Sequence, residues 1–257
     1  MQIGIIGGTR GMGSWVARFF ESEGYGVHIS GRTTGMNIKE MADRCNVVIV
    51  SVPIRDTVSV INTVGPLMGR DALLMDMTSL KREPVNAMTA ASISEVVGCH
   101  PLFGPQVDTM EGQNIVLCPI RGERWLHWLK SIFSKRGANV IETTPENHDR
   151  MMAVVQGLNH LNTVVMGLAL SRSGFVLPEL KSYATPAFRA KLKIIKKVFG
   201  QNPGLYAEIM TMNPDISSFV EMYAGILVDL ETVILRGDAG AMTALIEKHA
   251  DYFKSEC

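Results

Sequence analysis

His100 stands in "GCHPLFGPQ", residues 98–106, between a short apolar run ending at Cys99 and a proline, with Gly104 and Pro105 just beyond. A turn alone needs no histidine. An imidazole titrates near neutral pH, so one placed where a strand ends can take a proton from a bound molecule. A second chemical signal lies at the N-terminus, where "GGTRGMG" (7–13) follows the β-rich run "QIGII" (2–6). Aligned on G-x-G-x-x-G, the first glycine is Gly8 and the last Gly13, with Arg10 in the middle position and Gly11 next to it. A glycine turn between a strand and a helix offers free N–H groups at the positive helix end, a seat for pyrophosphate. Gly8, Thr9, Arg10, Gly11, Met12 and Gly13 are therefore cofactor-binding candidates. The motif alone is weak, and its strand–turn–helix context carries the reading.

The second strand bears on which dinucleotide. A site for NAD usually carries an acidic residue about 20 positions on, at the ribose 2′-hydroxyl. Here "HISGRTTG" has Ser30, Gly31 and Arg32 instead. Arg32 can pair with a 2′-phosphate while Ser30 and Thr33 donate hydrogen bonds, and Arg10 can reach the same group. NADP is the expected cofactor, with NAD the alternative. Arg32 as an ordinary solvated loop residue is the competing reading.

Further along, His148, Met152, Gln156 and His160 recur every four residues and share one face of a long apolar helix. Taken alone, His160 reads as a core histidine with a satisfied partner. Arg189, one turn into its own helix, suits a carboxylate. Lys191, Lys193, Lys196 and Lys197 on that helix read as its solvated side.

These residues need a frame. Short apolar runs at 2–6, 26–30, 46–53, 72–77, 94–99 and 114–119 alternate with helical stretches in the first half. Strands apolar on both faces mark a mostly parallel α/β sheet. From about 145 the pattern is helical, with Thr144–Pro145 and Thr185–Pro186 as start signals. The expected fold is a Rossmann-like, mostly parallel sheet domain over 1–145, followed by an all-helical dimerisation domain over 146–257. Such apolar helices call for a partner surface.

The chain has 257 residues, 46% hydrophobic and 19% charged, with 25 basic and 25 acidic side chains. That balance disfavours nucleic-acid binding. Four cysteines without paired spacing fit a reducing cytoplasm. No secretion signal is read at the N-terminus, unbroken apolar runs are too short to span a bilayer, and no metal-ligand cluster is visible.

"VVIVSVPI", "LLMDMTSLKREPVNAM", "GCHPLFGPQ", "NHDRMMAVVQGLNHL" and "TPAFRAKLKIIKKVFGQNPGLYAEI" together resemble, in order and spacing, segments of prephenate dehydrogenases. The likeness is closest to the dehydrogenase part of bifunctional chorismate mutase–prephenate dehydrogenases, with neither a mutase segment nor a regulatory extension expected here. The resemblance implies oxidative decarboxylation of prephenate to 4-hydroxyphenylpyruvate in tyrosine biosynthesis, by a homodimer. It makes His100 the base at the ring hydroxyl and Ser79 its neighbour. His160, Arg189, Gln106 and Gln156 become substrate-binding residues, with Arg189 on a carboxylate. Ser51, Val52 and Pro53 fall to the cofactor, and Lys81 matches a recurrent lysine without an assigned role. Arogenate as substrate, a non-catalytic NADP-binding sensor, and a different reductase on the same plan are the alternatives.

Overall fold

A computed structural model describes residues 1–31 and 36–254. The first part alternates β1 (Gln2–Ile6), α1 (Gly11–Ser22), β2 (Gly26–Ser30), α2 (Ile38–Arg44), β3 (Val47–Val50), α3 (Ile54–Val64), β4 (Leu73–Asp76), α4 (Arg82–Ala91) and β5 (Glu95–Pro101). β6 (Asn114–Arg121), α5 (Arg124–Lys135) and β7 (Asn139–Glu142) complete it. The seven strands lie in the order β2-β1-β3-β4-β5-β6-β7. All pairs are parallel except β5 with β6, so the last two strands run against the first five.

Successive strand residues point to opposite faces, and both faces are apolar. Ile3, Ile5, Val47, Ile49, Leu73 and Met75 pack on one side with Trp15 and Phe20 of α1 and Trp125, Leu129 and Phe133 of α5. Val48, Val50, Leu74 and Val96 pack on the other with Met41, Ile61, Val64, Val85 and Met88 of α2, α3 and α4. Cys45, Cys99 and Cys118 are free thiols inside these layers.

The strand order reverses between β1 and β3, where open α/β sheets bind ligands beyond the strand ends. The turn after β1 is tight. Gly7 has φ +88°, donates its N–H to the Ser30 carbonyl (2.7 Å), and a Cβ there would strike the Ser51 carbonyl. A Cβ on Gly13 would lie 2.5 Å from the Gly7 carbonyl oxygen, so helix and strand touch only because that residue is glycine. α1 starts at Gly11, inside the glycine turn 7–13 read from sequence, which puts the last two glycines of the motif in its first turn.

The helical part opens with one continuous helix, Pro145–Arg172, made of α6 (Pro145–Met152), a π-helical stretch (Ala153–Leu158) and α7 (Asn159–Arg172). Thr144 caps it and Pro145 fills the first position, the start signal read from sequence. α8 (Leu177–Ser182), α9 (Pro186–Gly200), α10 (Pro203–Met212), α11 (Ile216–Leu235) and α12 (Ala239–Ala250) follow. Neither α11 nor α12 buries a residue within the chain, and Val220, Ile226, Leu227, Val228, Ile234 and Leu235 are exposed. The helix Pro145–Arg172 is long and apolar enough, by length and composition, to cross a membrane. The expectation that nothing here could do so applies to unbroken apolar runs, not to this helix, whose apolar surface is cut by a polar stripe facing a cleft.

Candidate active site

A cleft of about 1870 Å³ runs between the strand ends of the sheet and the helices α7, α9 and α10. A drug-sized ligand fills roughly 300–1,000 Å³, so this space accommodates a dinucleotide together with a second small molecule.

At one end lie Gly7, Thr9, Arg10, Gly11, Met12, Ser30, Gly31 and the β3 turn Ser51–Pro53. Arg10 takes the N-cap position of α1 in extended conformation and makes no side-chain cap, and the first turn holds no acidic residue. The orphan N–H groups and the helix dipole are thus left for an anion. Gly8 and Gly13 face inward rather than toward the cleft. A Cβ on Gly8 would meet Ile29 at 2.9 Å, so both glycines act by permitting close packing. Arg32 and Thr33, the candidates for a 2′-phosphate, lie outside the described residues.

At the other end the cleft is lined by Ser79, His100, Gln106, Gln156, His160, Lys197, Gln201, Asn202 and Tyr206. His100, 4% exposed, ends β5. Its Nδ1 lies 2.9 Å from His148 Nε2, and His148 Nδ1 lies 2.8 Å from Asp149 Oδ1. A carboxylate only accepts, so His148 carries its proton on Nδ1 and accepts from His100 Nδ1–H at Nε2. The chain is directional. It leaves His100 Nε2 without a proton on the cleft side, where it accepts from the Gln156 amide N–H at 3.4 Å.

Burial and the neighbouring His148 and Lys81 hold the His100 imidazole well below its ordinary pKa of 6.5. Burial also lowers His148, with Lys81 adding to it, against the raising effect of the Asp149 hydrogen bond. For Asp149, burial pushes upward, but hydrogen bonds from His148 and from the Arg82 and Lys81 backbones outweigh it and lower its pKa. Asp149 is held by α4. Lys81 N donates to Oδ1 (2.7 Å) and Arg82 N to Oδ2 (2.9 Å), so a carboxylate 68 residues away caps the start of that helix. The Lys81 ammonium is fully buried in an ion pair with Asp76, whose Oδ2 also accepts from Thr78. Its aliphatic stem packs under Gly98, where a Cβ would lie 3.0 Å from Cδ.

The π stretch serves this geometry. Four residues advance an α-helical face by roughly 40°, and the wider π turn takes back some of that drift. His148, Gln156 and His160 therefore all face the site, as their spacing implied. His160 stands edge-on to Tyr206, with ring centroids 4.8 Å apart, and burial, aided by Lys197, lowers its pKa.

Arg189 is not brought to the cleft. It is exposed, and its Nε donates to the Ala184 carbonyl (3.3 Å). Lys197, which sequence reasoning assigned to the solvated side, is the cation of α9 that lines the cleft. Residues 189 and 197 differ by roughly 80° around an α-helix, enough to put them on different faces. Glu208 on α10 also lines the cleft and pairs with Arg55 of α3 at 3.2 Å. Sequence reasoning missed Asp149. The only local signal is its place beside His148, because its other partners come from α4.

Family models described as the nucleotide-binding domain and the dimerization domain of prephenate dehydrogenase match residues 24–142 and 144–248. The chain belongs to the prephenate dehydrogenase family. Among similar proteins, one from Methanocaldococcus jannaschii named probable arogenate/prephenate dehydrogenase is 33% identical, over 100% of this chain and 62% of that one. The T-protein of Haemophilus influenzae is 31% identical, over 98% of this chain and 67% of its own length. The chain thus spans about two thirds of the length of these relatives. The fold matches that of prephenate dehydrogenase from A. aeolicus, solved in complex with hydroxyphenyl propionate and NAD+, with TM-score 0.76, 20% identity and 100% and 98% of the two chains covered. Synechocystis arogenate dehydrogenase matches with TM-score 0.73 and 19% identity over the whole of both chains.

Proposed function

We propose that this chain is an NADP-dependent prephenate dehydrogenase. The observation that carries the proposal is the Asp149–His148–His100 chain, which leaves an unprotonated, buried imidazole nitrogen facing the cleft at the end of β5. The substrate 4-hydroxyl gives its proton to His100 Nε2, and the positive charge is shared with His148 and balanced by Asp149. A nicotinamide, when bound, accepts the hydride from ring C4. The bond from ring C1 to its carboxylate then breaks, CO2 leaves, its electron pair completes the aromatic ring as a phenolate, and His100 returns the proton to give 4-hydroxyphenylpyruvate. Aromatisation supplies the driving force, so the chain has to orient the substrate, take one proton and hold anions. A positioned base is worth about 10²–10⁴-fold in rate. Ser79 lines the same cleft as His100 and would orient the hydroxyl. Lys197, His160 and Gln106 stand where substrate carboxylates and the pyruvyl group can be met.

The dinucleotide fits the other end, where the uncapped start of α1 faces the cleft and a Cβ on Gly11 would meet only open space. NADP is favoured by Ser30 at the end of β2 in place of an acidic residue and by Arg10 on the cleft wall. The exposed apolar faces of α11 and α12, within the part matched by the dimerization-domain model, support a homodimer of this chain. Three free buried thiols fit a reducing cytoplasm.

Arogenate is the second reading, favoured by one observation. Glu208 is a carboxylate at the cleft that an ammonium could use. Its pairing with Arg55 leaves prephenate ahead. The test is absorbance at 340 nm with prephenate or arogenate, each with NADP or NAD. Faster reduction with prephenate and NADP is expected. Reduction with arogenate alone would reverse the substrate assignment. No turnover in protein that binds NADP would favour a sensor or another reductase.

A further inference from the structure

Four residues from three elements close a ring of hydrogen bonds behind the relay. Arg82 N donates to Asp149 Oδ2 (2.9 Å), and the Asp149 carbonyl accepts from Asn213 Nδ2 (2.8 Å). Asn213 Oδ1 accepts from Asp215 N (2.9 Å), and Asp215 Oδ2 accepts from the Arg82 guanidinium (2.8 Å). Arg82 opens α4 in the sheet domain, Asp149 lies on α6, and Asn213 and Asp215 form the turn between α10 and α11.

The ring departs from what local structure would favour. Asp215 holds the N-cap position of α11, where an aspartate normally accepts from its own helix. It makes no such cap, and its carboxylate goes to Arg82. Asn213 is 3% exposed and spends both ends of its amide inside the ring. Arg82 tolerates a buried Nε with no partner while its other atoms serve the ring. Two of the four bonds end on Asp149, the residue that orients His148, one on its carboxylate and one on its backbone carbonyl, and the other two hold those donors in place.

We propose that Asn213 and the Arg82–Asp215 pair are positioning residues. They lock Asp149 against His148 and so aim the relay at the cleft, across the seam between the sheet and the helices. The proposal rests on the relay reading above. The Arg82–Asp215 pair is about one-third exposed on each side, and such pairs contribute little to stability. A melting curve therefore separates a loss of activity on breaking it from a loss of fold. The charged and titratable groups around the relay are Asp76 at the end of β4, Lys81 at the start of α4, Cys99 on β5, Cys118 on β6, and Glu146 and Asp149 on α6.

The test is Asp215→Asn in the full chain, read by the 15N shifts of labelled His148 and His100 and by steady-state kinetics with prephenate and NADP. The expected result is a displaced His148 Nδ1 signal and a kcat lowered about tenfold or more, the scale on which small misplacements act. KM for both substrates stays unchanged. The ascending limb of kcat/KM moves to lower pH, because His148 loses the support of Asp149. Asp215→Glu restores part of kcat. A lower melting temperature with His148 shifts, kcat and limb unchanged would make the ring merely structural and overturn the proposal. A moved signal with unchanged kcat overturns it too. If Asp215→Asn does not fold, Arg82→Gln breaks the same bond and keeps the backbone N–H on Asp149. If the wild type turns over neither prephenate nor arogenate, the proposed function fails, and the His148 shifts alone decide the ring.

Discussion

Asp149→Asn tests the direction of the relay. The carboxylate accepts three hydrogen bonds, from His148 Nδ1, Lys81 N and Arg82 N. Asparagine has one accepting atom, so its NH2 must face a donor. If that donor is Arg82 N, α4 loses its anionic cap and one buried N–H goes unmatched, together costing roughly 1.5–4 kcal/mol. If the NH2 turns to His148, that ring takes the other tautomer, with its proton on Nε2. His100 must then accept at Nδ1, its own proton moves to Nε2, and the base is lost. Either way the charge that balanced the imidazolium is gone. The expected fall in kcat is about 10²–10⁴-fold, the worth of a positioned base, or roughly 2.7–5.5 kcal/mol of barrier. NADP affinity, set at the far end of the cleft, should be unchanged. The assay is steady-state reduction at 340 nm beside a titration of NADP binding and a melting curve. A kcat within about threefold of wild type, in folded protein, would refute a relay running through Asp149.

The depressed pKa of His100 places the ascending limb of kcat/KM below pH 6.5, and a limb at or above 6.5 would show that another group is the base. Stability follows the same groups. His100 and His148 are buried with lowered pKa values, so the stability they contribute is present above 6.5 and is lost as pH falls below it. Asp149, also lowered, adds a second loss below its ordinary 3.8, and melting temperatures across pH should fall in these two steps. Lys197→Gln should raise KM for prephenate about tenfold or more, the scale of a charge-assisted contact. Arg189→Gln should raise it less in the same assay, and the reverse order would return the carboxylate to Arg189. Arg32→Ala should weaken NADP far more than NAD in binding titrations, and equal effects would make Arg32 an ordinary loop residue.

The sheet was readable because its signal is local. Apolar runs with turns between them need no knowledge of partners, and six of the seven strands stand out in this way. β7 does not, because Asn139–Glu142 is a four-residue edge strand with little burial. The polar stripe on the long helix was readable from its spacing, although the π stretch that holds it in line leaves no pattern in composition. Asp149 was not readable. An acidic residue in the first turns of a helix ordinarily complements the helix dipole, and here its partners lie on α4, 67 and 68 positions earlier. Choosing Arg189 over Lys197 failed for a related reason. Residue type favours guanidinium for a carboxylate, but which face of α9 meets the cleft depends on packing against α7 and α10, and that is fixed by the whole helical part.

The position of Asp149 explains why the base is assembled at a seam. A histidine at a strand end in the sheet domain alone would be half wet and would titrate near its ordinary pKa, with free rotation of its ring. Covering it with α6 dries the site and lowers that pKa, but drying alone also disfavours the imidazolium that must form when the proton arrives. The same helix therefore has to bring the counter-charge. Asp149 supplies it, two hydrogen bonds from His100 by way of His148, and its own charge is tolerated because the start of α4, in the other domain, receives it. Base, cover and counter-ion thus depend on the docking of two parts of the chain. A change that loosens that docking should act on proton transfer before it acts on cofactor affinity.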